Sequence, residues 1–478
     1  MKIKSILFII LLSSVGFLKA QNNVFSPYSR YGIGELAQST FAHNNGMGGA
    51  CVALKPDSTM PIFINVGNPA SYAYIRLTSL EVGGRFIYSD LRSTTTTLKK
   101  WGTNFGYGAL GFPIKGNGGA CFGLMPYSYV GYDTENTANT SGIGDVNYKY
   151  SGTGGINKAF IGYGVMPFKM RLVKFRKKNL TVPDSLKRLG NAAYRIIEFG
   201  SKLLSDFSIG ANANYLFGNI QNTSRIEYPS SLLYNNTYSQ KEIFFGDFTG
   251  NFGVQTALTV DSIRIGMNKR RALKEKLKFT FGYFMNINNS MKANYNSVVL
   301  NTIKTGSGQE IIRDTAYYKV NQSGKITLPV EQSFGIGLKK SEKLNLVADF
   351  GITAWKNFKY IETLNELKDN YRFAIGANYV PEKYAAGRRA LWKRVNYRLG
   401  FNYESGYIQV KNVVLNSYFV SAGLGLPVGI GRLSSMVNLS VQYGQMGTTK
   451  SNLLKENYFR VNFGFTFSDR WFQKFRYD

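Results

Sequence analysis

The 478-residue chain predicts an all-β fold: a 14-stranded antiparallel transmembrane β-barrel with an N-terminal hatch, or plug, in its lumen. Three observations lead there. Beyond residue 76, apolar and polar residues alternate with a period of two, segment after segment. The alternating segments run about ten to thirteen residues, which suits tilted membrane strands better than the five or six usual in soluble sheets. The 32 Tyr and 34 Phe cluster at strand ends, as aromatic girdles do. A soluble sandwich alternates too, but in lipid only a closed barrel satisfies every backbone group of such strands.

Taken in chain order, Lys2 and Lys4 precede the apolar run ILFIILLSSVGFL, and Ala20 offers a small residue before Gln21. That pattern predicts a cleaved signal peptide over 1–20, since the run is short for a membrane span. Residues 21–76 follow no period. They are Gly-rich and apolar, and NVGNPASYAYI (65–75) places Gly67, Asn68 and Pro69 together, which excludes regular helix or central strand. A slim, kinked segment of this kind reads as the filling of a lumen.

The barrel, 77–468, is read as strands near 78–90, 101–113, 119–131, 153–166, 205–218, 243–261, 277–289, 327–338, 344–357, 370–380, 395–406, 414–426, 433–444 and 457–468. Tyr371, Phe373, Ile375, Ala377 and Tyr379 alternate with Arg372, Gly376 and Asn378. Phe459, Val461, Phe463, Phe465 and Phe467 alternate with Arg460, Asn462, Gly464 and Thr466 in the last strand. An even count suits a single-chain bacterial outer-membrane barrel. With both ends periplasmic, connections after even strands are periplasmic, and 132–152, 219–240 and 290–326 become outside loops. The exception among the short periplasmic turns is 167–204, a basic insert. In it Pro183 and Asp184 start, and Leu186, Leu189, Ala193, Ile196 and Ile197 space, a short amphipathic helix. That helix fits under the barrel or at the lipid interface. A basic, aromatic tail, 469–478, ends the chain.

The charge is one-sided. The periplasmic connections and tail hold 29 basic and 7 acidic residues, a net of +22, against +5 for the outside loops. Dense points are Arg176, Lys177 and Lys178, then Lys269, Arg270 and Arg271, then Arg388 and Arg389. Two accounts fit: attraction to anionic head groups of outer-membrane lipids, or docking of an acidic periplasmic or outer-membrane protein. Nucleic acid is not expected as a partner of an exported chain. One histidine, two cysteines and no clustered carboxylates leave little material for hydrolytic or metal chemistry. No catalytic residue, metal site or cofactor is therefore assigned, and the chain is not expected to be an enzyme.

SPYSRYGIGEL (26–36), NNGMGGACVAL (44–54) and GNPAS (67–71) resemble the N-terminal hatch of the FadL family, outer-membrane transporters of long-chain fatty acids and other hydrophobic compounds. The first of these and the ending RWFQKFRYD are similar to Bacteroidota outer-membrane proteins. The resemblance implies a hatch motif at Gly67, Asn68, Pro69 and Ala70. It also implies a kinked third strand opening sideways to lipid, for which Gly123 and Pro126 are the candidates. The other reading of Pro126 is an early strand end. Arg372 and Arg398 are read as holding a ligand carboxylate or as pairing with Glu404 in a polar lumen. Cys51 in the hatch and Cys121 on the wall are read as a tethering disulfide or as two unpaired buried thiols. The function implied is passage of a fatty acid or other hydrophobic compound by hatch rearrangement and lateral exit. The alternative is a non-transporting accessory subunit of an outer-membrane protein assembly (BAM-like) or type IX secretion complex, docking through its basic periplasmic face.

Overall fold

The computed structural model describes residues 24–56, 63–114, 117–168, 199–200, 203–229, 234–264, 274–287, 290–305, 309–361, 367–385, 387, 390–428 and 434–469. Residues 1–23, which include the expected signal peptide, most of the 167–204 insert and residues 470–478 lie outside them, as do all eight arginines and lysines named for docking. Sixteen long strands dominate: β1 (Thr78–Arg92), β2 (Thr97–Ile114), β3 (Gly118–Thr140), β4 (Gly144–Val165), β5 (Ser208–Glu227), β6 (Asn236–Arg264), β7 (Lys274–Asn286) and β8 (Ser290–Lys304). They continue with β9 (Glu310–Thr327), β10 (Glu331–Lys340), β11 (Leu344–Thr353), β12 (Asn370–Tyr379), β13 (Asn396–Glu404), β14 (Ser417–Val428), β15 (Ser434–Gly447) and β16 (Lys455–Asp469).

Each of β1–β7 and of β10–β16 pairs antiparallel with the next in its run, and β16 pairs back onto β1 from Thr78↔Asp469 to Arg92↔Lys455, which closes the ring. β7 pairs directly with β10, from Glu331↔Asn286 to Lys340↔Leu277. The β8–β9 hairpin therefore stands outside the ring, and fourteen strands remain in it. Phe281, Phe334, Ile336, Phe350, Leu399 and Phe463 face outward and are exposed, as a lipid-facing band requires. Their sequence neighbours Thr280, Ser333, Asp349, Arg398, Asn402 and Asn462 turn inward and are buried.

Three expected loops are corrected. Residues 132–152 are mostly the upper halves of β3 and β4, paired to Thr140↔Gly144 around a turn in which Ile143 N–H bonds Thr140 O. Residues 219–240 largely extend β5 and β6, and 290–326 form the β8–β9 hairpin, whose β8 pairs with β6 over Asn236–Phe245. The reason is physical. Period-two alternation arises only where one face meets lipid, whereas above the membrane both faces meet water and the ladder continues without it. Thr, Tyr and Val, common in these stretches, suit strands in either setting.

The hairpin roots itself in the core at the loop-bearing end. Met291, Ala293, Tyr295 and Ile326 pack there with Trp355, Phe358, Tyr407 and the N-terminal residues Tyr28 and Ile33. Replacing 290–327 with a two-residue Asn-Gly turn should leave a heat-modifiable barrel on gels, because β7 and β10 already pair. Its melting temperature should fall, because those four apolar side chains leave the cluster.

Candidate functional site: the filled lumen and the β2–β3 seam

The described N-terminal residues, 24–56 and 63–76, pack against the inward faces of strands around the whole ring. The Gly67–Ala70 motif sits on β5, β6 and β7. Asn68 Oδ1 accepts the Ala70 N–H at 3.1 Å and so caps the 3-10 turn Pro69–Tyr74. Pro69 occupies the first position of that turn, where a missing N–H is no loss. The Asn68 amide donates to Val52 O at 2.9 Å and reaches the wall carbonyls of Tyr283 and Val254 at 3.2 and 3.3 Å. A Cβ on Gly253 would strike Asn68, one on Gly210 the Pro69 carbonyl, and one on Gly67 the Cys51 sulfur.

The rest of the segment is held the same way. Glu81 on β1 accepts the Ile64 N–H at 2.6 Å, and Asp349 on β11 accepts those of Cys51 and Val52 at 2.6 and 2.9 Å. Gln255 on β6 donates to Val52 O at 2.7 Å, and Asn402 on β13 to Gly48 O at 3.0 Å. Ser421 on β14 accepts the Gly48 N–H at 2.9 Å, and Tyr107 on β2 accepts that of Ala42 at 3.1 Å while stacking on Phe41. Wall glycines provide the seats: a Cβ on Gly282, Gly376 or Gly400 would collide with the backbone of Val52, Met47 or Gly48. None of these wall residues was singled out from the sequence. A signal existed: lone carboxylates and recurrent glycines sit at inward parity, as in SLEVGG and VADFG.

Arg398 is fixed to Asn378 and Asn438 at 3.2 and 2.8 Å rather than to Glu404. Arg372 stands opposite Glu404 in the β12–β13 register without a direct ion pair. Cys51 and Cys121 are both buried and free, so the tethering disulfide does not form. Cys51 lies against Gly67, whereas Cys121 packs among Phe41, Ile64, Tyr72 and Ile75. Burial pushes the Cys51 thiol well above its ordinary range, which makes it unreactive.

Lys55 anchors the turn-bearing end. Its ammonium donates to the Tyr74 hydroxyl at 2.9 Å and the Asp206 carbonyl at 3.0 Å. Burial, with Lys278 nearby and against the pull of Asp206, brings its pKa down to about 7. Among the described residues no group of three or more His, Cys, Asp or Glu could hold a metal ion.

The wall has one interrupted seam. β2 and β3 pair only from Ile114↔Gly118 to Gly108↔Leu124. At Gly123 the strands are so close that a Cβ would meet the Gly108 carbonyl. Just beyond, Pro126 lies at a register shift between β3 and β4, so this proline marks a bulge rather than a strand end. The free edge of β3 is taken by the N-terminal segment: Glu35 and Leu36 pair with Tyr129 and Ser128, and Ala37 N–H donates to Tyr127 O at 2.9 Å. Two cavities among the described residues stand out by size. The larger, about 210 Å³, is bordered by Lys158, Glu331, Arg372, Glu404 and residues 36–40. The smaller, about 110 Å³, lies nearer the loops.

These features define a class: a closed 14-stranded transmembrane barrel of FadL-like fold with its N-terminal residues packed against the inner wall. Solved structures similar to it include the Pseudomonas putida toluene transporter TodX, at 12% identity over 91% of this chain and 100% of that one, with a TM-score of 0.50. The Ralstonia pickettii toluene transporter TbuX aligns at 11% identity over 90% of this chain and 98% of that one, with a TM-score of 0.49. At these identities the likeness is one of fold. The chain belongs to the BamG family, whose model matches residues 1–177 and 176–478. None of the curated proteins matches it by sequence.

Three outcomes test this geometry. Asn68→Ala removes the cap and leaves wall carbonyls unpaired, and should cost about 2–4 kcal/mol in chemical unfolding. In the same strand β13, Gly400→Val should destabilise strongly, whereas lipid-facing Leu399→Val should be nearly neutral. For Lys55 the folded pKa lies below the unfolded value. The unfolded chain therefore binds the extra proton between about pH 7 and 10.5, and stability rises with pH across that window. Lys55→Met should flatten that rise, read as melting temperature against pH.

Proposed function

We propose that this protein is a non-transporting accessory subunit of an outer-membrane protein assembly complex, and that it binds its partners through the basic rim at its turn-bearing end. The observation that carries this reading is the way the lumen is filled. Inward side chains that a transport tunnel would leave for ligand are instead bonded to the backbone of Ala42, Gly48, Cys51 and Ile64. The two larger cavities carry carboxylates and cations in their walls. A hydrophobic compound would gain little from such walls. The family name BamG points the same way.

Strand alternation supports the docking side of the proposal. The ends of β2, β4, β6, β10, β12, β14 and β16 open at one rim, and the sequence that follows these strands carries a net charge of +22. A concentrated positive rim steers acidic partners toward one face. The lipid-facing band and the FadL-like fold support placement in the outer membrane.

Transport is the second reading, favoured by the interrupted β2–β3 seam and its bulge at Pro126. It requires residues 35–37 to leave the edge of β3. Deletion separates the two readings. The assembly role predicts depleted outer-membrane proteins with unchanged growth on oleate, whereas transport predicts the reverse. Purification of the tagged chain from crosslinked cells should bring down stoichiometric envelope proteins. Charge reversal of Arg176, Lys177 and Lys178 together with Lys269, Arg270 and Arg271 should release them without lowering barrel stability.

A further inference from the structure

The smaller cavity, about 110 Å³, lies between residues 28–38 and the loop-bearing ends of β13–β16. Its apolar lining is aromatic and soft: Tyr28, Tyr407, Phe419, Tyr458 and Met446. Two of the phenols are already committed as donors. Tyr28 donates to Leu454 O at 2.9 Å, and Tyr407 donates to Gly34 O at 3.1 Å. What these side chains turn to the cavity is therefore ring and thioether.

Its charged lining is three carboxylates against one cation: Glu35, Glu404 and Glu456 with Arg460. Arg460 is held by Glu35 at 2.8 Å and lies 4.0 Å over the Tyr458 ring. Glu404 accepts from the Asn370 amide. Glu456 differs. It is 4% exposed, stands at the cavity wall, and its Oε2 has no hydrogen-bond partner. A buried carboxylate oxygen left unpaired is costly, and it marks a place where a donor belongs.

We propose that this cavity binds a small organic ammonium ion, a primary amine on a compact apolar body. The ammonium is received by Glu456 and the apolar part by the surrounding rings. Aromatic faces attract cations, and the unpaired Glu456 Oε2 among them accepts the charged hydrogen bond. The same lining disfavours the two ligand types suggested by the fold. A carboxylate would meet three others and a guanidinium already paired, and a plain hydrocarbon would leave Glu456 unsatisfied. The site stands independently of either reading of the whole protein.

The test uses the purified full chain in detergent micelles, titrated by calorimetry with benzylammonium, benzyl alcohol and benzoate. Benzylammonium should bind saturably and raise the melting temperature, benzyl alcohol should bind at least about tenfold more weakly, and benzoate should not bind. Glu456→Gln should bring the ammonium affinity down to that of the alcohol, while Met446→Trp, which fills the cavity from the position paired with Glu456 across β15 and β16, should abolish both. Equal affinity for the amine and the alcohol, no saturable binding to the unaltered chain, or retained amine binding in either variant overturns the proposal. Should Glu456→Gln fail to fold, Met446→Trp decides alone.

Discussion

An irregular chain segment enclosed in a barrel has no water to satisfy its amides and no regular ladder to join. Each of its buried N–H and C=O groups must find a partner on the wall or within the segment. That requirement organises this molecule. It explains why Glu81, Gln255, Asp349, Asn402 and Ser421 sit at inward positions of otherwise apolar strands, each within hydrogen-bond reach of a backbone group. It also explains the inward glycines. A backbone can bond to wall side chains on several strands only if intervening positions let it lie close, and Gly253, Gly282 and Gly400 do so.

The same requirement bears on function. A wall built to hold a peptide backbone is a poor lining for a hydrophobic ligand, and releasing the segment would expose buried polar groups one after another. The one place where the segment substitutes for wall is the β2–β3 seam, where residues 35–37 complete the ladder that β2 leaves unfinished. The FadL-like architecture is kept there while the edge it leaves open is covered by the protein's own backbone.

Much of the fold was legible in the sequence because lipid imposes a sharp signal. Strands such as 370–380 and 457–468 alternate so strictly that their existence, facing and number could be read directly. The extensions of β3–β6 and the β8–β9 hairpin were not legible, since above the membrane the alternation that reveals a strand is absent. At the site, the Gly67–Ala70 motif was found because Pro and Gly punctuate a chain visibly. The wall residues that receive it come from separate strands, β5, β6 and β7, and only pairing brings Asn68 to Val254 and Tyr283. The disulfide between Cys51 and Cys121 failed for a similar reason: parity places a residue on a face but not beside a chosen partner.

The central claim is that the protein works with its N-terminal residues fixed in the lumen. It is tested most directly by locking them there. Leu36 and Ser128 are register partners across the seam, and replacing both with cysteine in a Cys51→Ser, Cys121→Ser background allows an oxidised bond between the segment and β3. The account predicts that cells carrying the oxidised variant keep normal levels of outer-membrane proteins and normal growth. Loss of function on oxidation, restored by reduction, would show that the segment must move and would contradict it.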